Sequence, residues 1–326
     1  MGEVLVTGAN GFVGSHICEA LLAAGFKVRA LVRKTSNLTN LDGLDISLTY
    51  GDISDPQSLT EAVTGVDAII NNAGLVKTNC REEFQQVNCG GTENILKAAL
   101  EHNPEINRIV HISSTAACGP APSLAPINEE FPPNPITAYG RSKLNAERAV
   151  LGYKNSLPVV ILRPSAVYGP RDREMYSFFK SIKLRFKPAL GQGQRYINFT
   201  YVRDLAIAVT LALKSPLISG SIYFVAEKQH RSYSEAADII GQILGKRSMT
   251  LFIPGPVLGF AGWVSEEFAR LRKKPSIFTQ EKVREILQRY WVFDTSKIEK
   301  ELGFVSTAFE IGAAETISWY REHGWL

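Results

Sequence analysis

The chain has 326 residues, 45% of them hydrophobic and 21% charged, which excludes a disordered or fibrous protein and allows a sizeable core in one large or two modest domains. A net charge of +4 with both signs interspersed, and no basic block longer than Arg272-Lys273-Lys274, excludes a dedicated nucleic-acid binder. The four cysteines, Cys18, Cys80, Cys89 and Cys118, form no Cys-x-x-Cys pair and the five histidines are scattered, so a reduced, cytoplasmic protein without a metal site is expected.

Glu3-Val4-Leu5-Val6-Thr7 reads as a short buried strand entered without a charged-then-apolar leader, so secretion is not expected. Gly8-Ala9-Asn10-Gly11-Phe12-Val13-Gly14 follows directly, and an apolar periodicity through Ile17, Leu21 and Leu22 to Gly25 predicts a helix with a glycine stop. Strand, glycine loop and helix in that order make an anion site. The glycines permit close approach, and the free N–H groups and helix dipole face a pyrophosphate.

A second strand over 27–32 runs into Arg33-Lys34, and others are predicted near 46–50, 67–71, 107–113 and 158–163, with helical stretches between most of them. Such alternation means parallel strands joined by right-handed crossovers, an open α/β sheet covered on both faces. Ligands in that architecture sit at the carboxyl ends of the strands, where the glycine loop, Asn71, Ser114 and the segment after Arg163 would converge.

Between the fifth and sixth strands, Tyr139-Gly-Arg-Ser-Lys143 lies in a helix-compatible run. Four residues apart on a helix, the phenol and the ammonium share one face. A cation about 4 Å from a phenol, at an effective dielectric of about 20, favours the anion by up to roughly 4 kcal/mol. Lys143 is therefore expected to lower the pKa of Tyr139 toward useful acid–base chemistry.

Beyond Pro164 the pattern is less regular, with joints at Lys187-Pro188, Gly191-Gln192-Gly193 and Ile253-Pro254-Gly255-Pro256. A nucleotide-binding domain over 1–164 and a smaller, mostly helical substrate lobe over 165–326 are expected, with an approximate boundary and interleaved segments. The most apolar stretch, Leu251 to Val264, is interrupted by proline and glycine and is too short to span a bilayer. A helix packed in the substrate lobe is expected there, with membrane-surface contact as the alternative. Glu315 to Glu322 reads as an amphipathic helix sealing the lobe.

Several segments, taken together and in order, resemble the extended short-chain dehydrogenase/reductases along essentially the whole chain. They are Gly8-x-x-Gly11-x-x-Gly14, Gly51-Asp52-Ile53, Asn71-Asn72-Ala73-Gly74, Val87-Asn88 with Gly91-Thr92, Ser113-Ser114 before Gly119, Tyr139-x-x-x-Lys143, and Arg163-Pro164 through Gly169-Pro170. The resemblance implies a Rossmann-type doubly wound parallel sheet, a bound nicotinamide dinucleotide and a homodimer. It also implies alcohol–ketone chemistry, with Tyr139 as acid and base, Ser114 holding the substrate oxygen and Lys143 holding the nicotinamide ribose.

Cofactor contacts are implied for Gly8, Asn10, Gly11, Phe12, Val13, Gly14, Asp52, Ile53, Asn71, Ala73, Gly74, Asn88 and Pro164, beside Tyr139 and Lys143. Asp52 would meet the adenine or serve as a turn residue. Ser113 or Thr115 would replace Ser114 if the register shifted by one. A carboxylate ending the second strand would repel a 2′-phosphate, whereas Arg33 there favours NADP(H), with NAD(H) left open.

Members of the family divide into nucleotide-sugar epimerases and dehydratases and reductases of hydrophobic ketones or alcohols. The former carry an Asn where Ala166 stands and an Arg where Ile197 stands, so a carbonyl or alcohol substrate is expected. Arg195, Lys77, Arg171, Arg173 and Arg231 could restore a phosphate site. Phe178, Phe179, Phe186, Tyr196, Phe199 and Tyr201 could line an apolar pocket. The alternatives are an epimerase or dehydratase, and a non-catalytic NADP(H)-binding sensor.

Overall fold

The computed structural model describes residues 2–272, 276 and 278–326; of the basic triplet, Lys273 and Lys274 lie outside the described residues. The first half builds β1 (Glu3–Thr7), α1 (Phe12–Ala23), β2 (Lys27–Val32), β3 (Ser47–Tyr50), α2 (Thr60–Val63), β4 (Ala68–Asn71) and α3 (Arg81–Phe84). A π-helical stretch (Gln85–Gly90) leads into α4 (Gly91–His102), β5 (Arg108–Ile112), α5 (Ala138–Gly152) and β6 (Val159–Pro164). Each of the six expected strands lies within one residue of its predicted bounds.

The second half contributes β7 (Ala166–Tyr168), α6 (Tyr176–Lys183), β8 (Phe186–Leu190), β9 (Tyr196–Ile197), β10 (Phe199–Tyr201), α7 (Val202–Lys214) and β11 (Ser221–Val225). Next come β12 (Arg231–Ser232), α8 (Tyr233–Leu244), β13 (Met249–Ile253) and α9 (Gly255–Arg272). The chain ends with α10 (Gln280–Ile286), β14 (Tyr290–Trp291), α11 (Ser296–Leu302) and α12 (Phe309–Glu322).

Seven strands form one parallel sheet in the order β11-β6-β5-β4-β1-β2-β3. Alternation along each strand sends side chains to opposite faces. Val4, Val6, Ile70, Val110 and Val160 pack under Ile17 and Leu21 of α1 and Leu205 and Val209 of α7. Leu5, Ile69, Ile109 and Ile161 pack against Ile95 and Ala99 of α4 and Val150 of α5. Sheets covered on both faces read as continuous apolar runs, which is why the central strands were visible in the sequence. The strand order reverses between β1 and β4, which opens a crevice at their carboxyl ends. Both α7 and β11 come from beyond residue 164 yet belong to this sheet layer.

The C-terminal region is helical, with three small sheets, β7/β10, β8/β13 and β12/β9/β14. Its core is aromatic, with Phe179, Phe199, Tyr201 and Phe309 set around the buried Tyr168 ring at centroid distances of 5.1 to 6.5 Å. Three of the aromatics expected at a pocket are therefore core. Phe186 is exposed, Tyr196 stacks on Tyr290, and Phe178 alone of the six lines the crevice.

Candidate active site

A single crevice of about 1780 Å³ runs from the end of β2 across the sheet's switch point to α10. At its centre the chain leaves β1 through Gly8 at φ +65, a conformation that favours glycine. A Cβ there would stand 2.9 Å from the Ala73 Cα, and one on Gly14 would stand 2.1 Å from the Gly8 carbonyl oxygen. Gly11 is the N-cap of α1, and no side chain caps that end. The first N–H groups of α1 therefore stay available to an anion.

Thr7 staples the two loops of the switch point. Its hydroxyl donates to Asn71 Oδ1 at 3.2 Å and accepts the N–H groups of Asn72 and Ala73 at 3.0 and 2.9 Å. Asn71 is buried, donating to Thr92 Oγ1 and His111 Nδ1. Asn88, set by the π-helical turn, accepts Leu75 N–H at 2.7 Å and donates to the Leu75 carbonyl and Ser142 Oγ. Of the expected cofactor residues, Asn71, Asn88 and Gly14 do not line the crevice; they hold the segments that do. Gly8, Asn10, Gly11, Phe12, Val13, Arg33, Asp52, Ile53, Ala73, Gly74 and Pro164 all line it.

At the end of β2, exposed Arg33 stands 4.0 Å from Asp52 Oδ2, and its N–H donates to Ser36 Oγ, another lining residue. Asp52 Oδ1 accepts Ser54 N–H as a turn residue would. Ile53 packs against Gly91, where a Cβ would lie 2.6 Å from its Cδ1.

Ser114, Tyr139 and Lys143 meet on the opposite wall. Strand alternation separates the two serines: Ser113 is buried and donates to Glu147, whereas Ser114 faces the crevice and its Oγ accepts Ala116 N–H at 3.1 Å. Thr137 caps α5 by accepting Gly140 N–H at 3.0 Å, which fixes the turn that carries Tyr139. The Tyr139 ring is only half-buried and meets Phe84 edge-on at 5.8 Å.

The expected lowering of the phenol by Lys143 is not found. Burial pushes Tyr139 up to about 12, opposed chiefly by the Ser114 hydroxyl and also by Lys282, while Glu174 and Glu285 raise it further. Lys143 lines the same wall, but its Nζ donates to the Ile112 carbonyl at 2.6 Å, and burial lowers it to about 8. Spacing on the helix gave the shared face but not the side-chain partner, and the Ile112 carbonyl at the end of β5 accepts the ammonium.

Helix α10, which no motif marked, reaches this wall. Glu281 Oε2 accepts the N–H of Ala138 at 2.8 Å, and its Oε1 lies 3.5 and 3.6 Å from Arg81 and Arg141. The next residue, Lys282, donates to Glu285 at 2.9 Å beside Tyr233 and Glu174. Thr279 caps α10 by accepting Lys282 N–H at 3.1 Å, and the approach of α10 to α5 depends on distant parts of the chain.

Behind the wall, Glu147 binds Arg163 through both oxygens at 2.9 and 2.7 Å, with both side chains buried. The pair joins α5 to β6, four residues along the helix from Lys143. Among the described residues no group of three or more metal-ligating side chains occurs.

A parallel sheet with a glycine-lined helix start at its switch point, facing a tyrosine, serine and lysine, is the layout of a nicotinamide-dependent enzyme. The chain belongs to the NAD dependent epimerase/dehydratase family, whose model matches residues 4–226, within the extended short-chain dehydrogenase/reductases. It is 31% identical to sterol demethylase protein B of Methylococcus capsulatus, over 99% of each chain. It is 27% identical to the ceramide reductase of Caulobacter vibrioides, over 100% of this chain and 96% of the relative. The crystal structure of gox2253 superimposes with a TM-score of 0.84 at 29% identity, over all of both chains. The relatives are reductases, dehydrogenases and epimerases, and this protein is an enzyme.

Proposed function

We propose that this enzyme interconverts an apolar ketone and its secondary alcohol with NADP(H), using Tyr139 as the proton carrier. What carries the reading over the epimerase alternative is the state of three of the five cations that could restore a phosphate site, although Lys77 and Arg173 still line the crevice. A sugar diphosphate needs cations presented to it. Arg195 turns back onto the carbonyls of Gly193 and Gln192, Arg171 binds Ser15 and Glu19, and Arg231 binds Glu227 and Glu310. Ala166 and Ile197 line the crevice with no donor. Relatives named for sterol and ceramide chemistry agree with an apolar substrate.

The open N-terminus of α1 and the crowded glycines Gly8 and Gly14 fit a pyrophosphate approaching the backbone. Arg33 and Ser36 would take the 2′-phosphate of NADP, Asp52 and Ile53 the adenine side, and Ala73, Gly74 and Pro164 the ring end. The bound dinucleotide supplies a hydride donor or acceptor.

A phenol keeps its proton at neutral pH, and burial holds Tyr139 higher still, so it donates to a carbonyl oxygen only as negative charge develops there. Ser114 orients that oxygen, and Lys143, one turn away, adds positive charge to the same wall. In oxidation the Tyr139 phenolate takes the alcohol proton and becomes the phenol.

The test is NADPH consumption over a panel of ketones, with Tyr139→Phe as control. Turnover that survives Tyr139→Phe refutes the mechanism, and the absence of turnover leaves a cofactor-binding sensor as the better reading. A thermal-shift screen of uridine and thymidine diphosphates against ketosteroids addresses substrate class; stabilisation by the diphosphates would reverse the ranking.

A further inference from the structure

Helix α9 is apolar on two sides. Leu258, Gly262 and Ala269 are buried, and Val283 of α10 lies 3.1 Å from where a Cβ on Gly262 would stand. On the other side Val257, Phe260, Val264, Phe268 and Leu271 are exposed by 44 to 82%. Their three- and four-residue spacing makes one stripe, about 21 Å long at the helical rise. The strand before it adds Met249 and Leu251, which alternation puts on one face, exposed by 73 and 49%. Soluble monomers rarely leave contiguous apolar surface of this kind in water.

The charges leading into β13 and the first part of α9 have one sign, and the acids Glu266 and Glu267 enter only in the last turns. From Lys246 to Ser265 the chain carries no carboxylate. Exposed Lys246 and Arg247 precede β13, and Arg270 and Arg272 occupy the last turn of α9, with Arg272 over the Phe268 ring at 4.1 Å. The nearest acids are engaged: Glu266 accepts Gln280 N–H at 2.8 Å, and Glu267 pairs with Arg270 at 2.7 Å. Trp263 sits at the flank of the stripe, half exposed.

We infer that α9 docks flat on a bilayer surface rich in anionic phospholipid, its stripe in the acyl boundary and its cations on the headgroup phosphates. No helix among the described residues is long and apolar enough to cross a membrane, so the helix lies on the surface rather than through it. A second copy of the chain fits less well. Antiparallel pairing of two α9 stripes would set Arg270 and Arg272 against residues 255–258, which hold no carboxylate, and parallel pairing would set cation against cation.

The docked helix is also a wall of the active-site crevice, which Ala269 and Arg270 line. A lipid ketone would pass from the bilayer to Tyr139 along α9 without crossing water. That last step rests on the proposed function; the docking itself does not.

The experiment is co-sedimentation of the full chain with vesicles of phosphatidylglycerol and phosphatidylcholine, or of phosphatidylcholine alone, without cofactor or ketone. Light scattering of the free protein runs in parallel. Binding to the anionic vesicles is expected, weakened about tenfold or more by Phe260→Glu with Phe268→Glu and by omission of the anionic lipid. A milder Val257→Ser, Val264→Ser variant with unchanged thermal midpoint guards against misfolding and should weaken binding in the same direction. A wild-type protein that ignores the vesicles, folded variants that bind as it does, or a dimer that the stripe variants dissociate would each overturn the proposal. Since no turnover is measured, failure here and failure of the reductase assay remain distinct.

Discussion

Glu281 and Ala138 join the two halves of the molecule at the residue next to the candidate catalytic phenol: the carboxylate of α10 accepts the first free N–H of α5 at 2.8 Å. An acid at a helix N-terminus is favoured by the dipole, and this one comes from the opposite lobe. Glu281→Ala should lower stability by about 1 kcal/mol, as loss of a cap does. It should also lower kcat/KM about tenfold through misplacement of Tyr139. Steady-state kinetics beside a thermal melt will separate the two, and unchanged kcat/KM in the folded variant would show the contact to be structural only.

Tyr139→Phe should bind NADPH as the parent does and lose about 10²- to 10⁴-fold in kcat, the range for a positioned proton donor. Fluorescence titration of NADPH with single-turnover kinetics checks both halves.

Lys143 is lowered to about 8, so it carries its charge below that pH and loses it above. If that charge supports the developing alkoxide, kcat/KM for reduction should be level up to about pH 8 and fall above it. A flat profile to pH 10 would remove Lys143 from the reaction. The same shift carries a stability term of opposite sense to a salt bridge. With the folded value below the unfolded one, the unfolded chain binds more protons between about 8 and 10.5, and stability contributed by this group rises with pH across that window.

Asp172 lines the crevice and is raised by burial to about 7, although it accepts the N–H groups of Glu174 and Met175. A carboxyl raised on folding stabilises below its unfolded value and loses that contribution as pH climbs through the folded one. Between pH 4 and 8 the parent should lose on the order of 3 kcal/mol from this group, whereas Asp172→Asn should flatten that part of the curve. Chemical denaturation at three pH values is the measurement.

Glu147→Ala leaves Arg163 charged and enclosed, and removal of one partner of a buried pair destabilises by about 3–5 kcal/mol. A folded Glu147→Ala variant with near-parent stability would contradict the assignment.

Much of the sheet was legible because its central strands are buried on both faces and announce themselves as apolar runs, and because the glycine loop is a local device whose spacing carries its own geometry. The seventh strand was not. Ser221–Val225 joins the sheet after a long excursion, and nothing nearby in sequence tells it from a strand of the other lobe. Candidate site residues on strand ends were readable for the same local reason, whereas Glu281 and Lys282 sit on a short polar helix whose orientation depends on packing from elsewhere. The side-chain partner was the other blind spot: four-residue spacing put Tyr139 and Lys143 on one face, and only the structure shows the ammonium drawn to the Ile112 carbonyl.

Thr7 has a consequence for the thermodynamics of cofactor capture. One hydroxyl fixes the lips on both sides of the switch point before any nucleotide arrives, so association freezes little additional backbone. Thr7→Val, alike in outline, would leave those lips to be ordered by the dinucleotide, and calorimetry would register weaker capture with a larger entropic penalty.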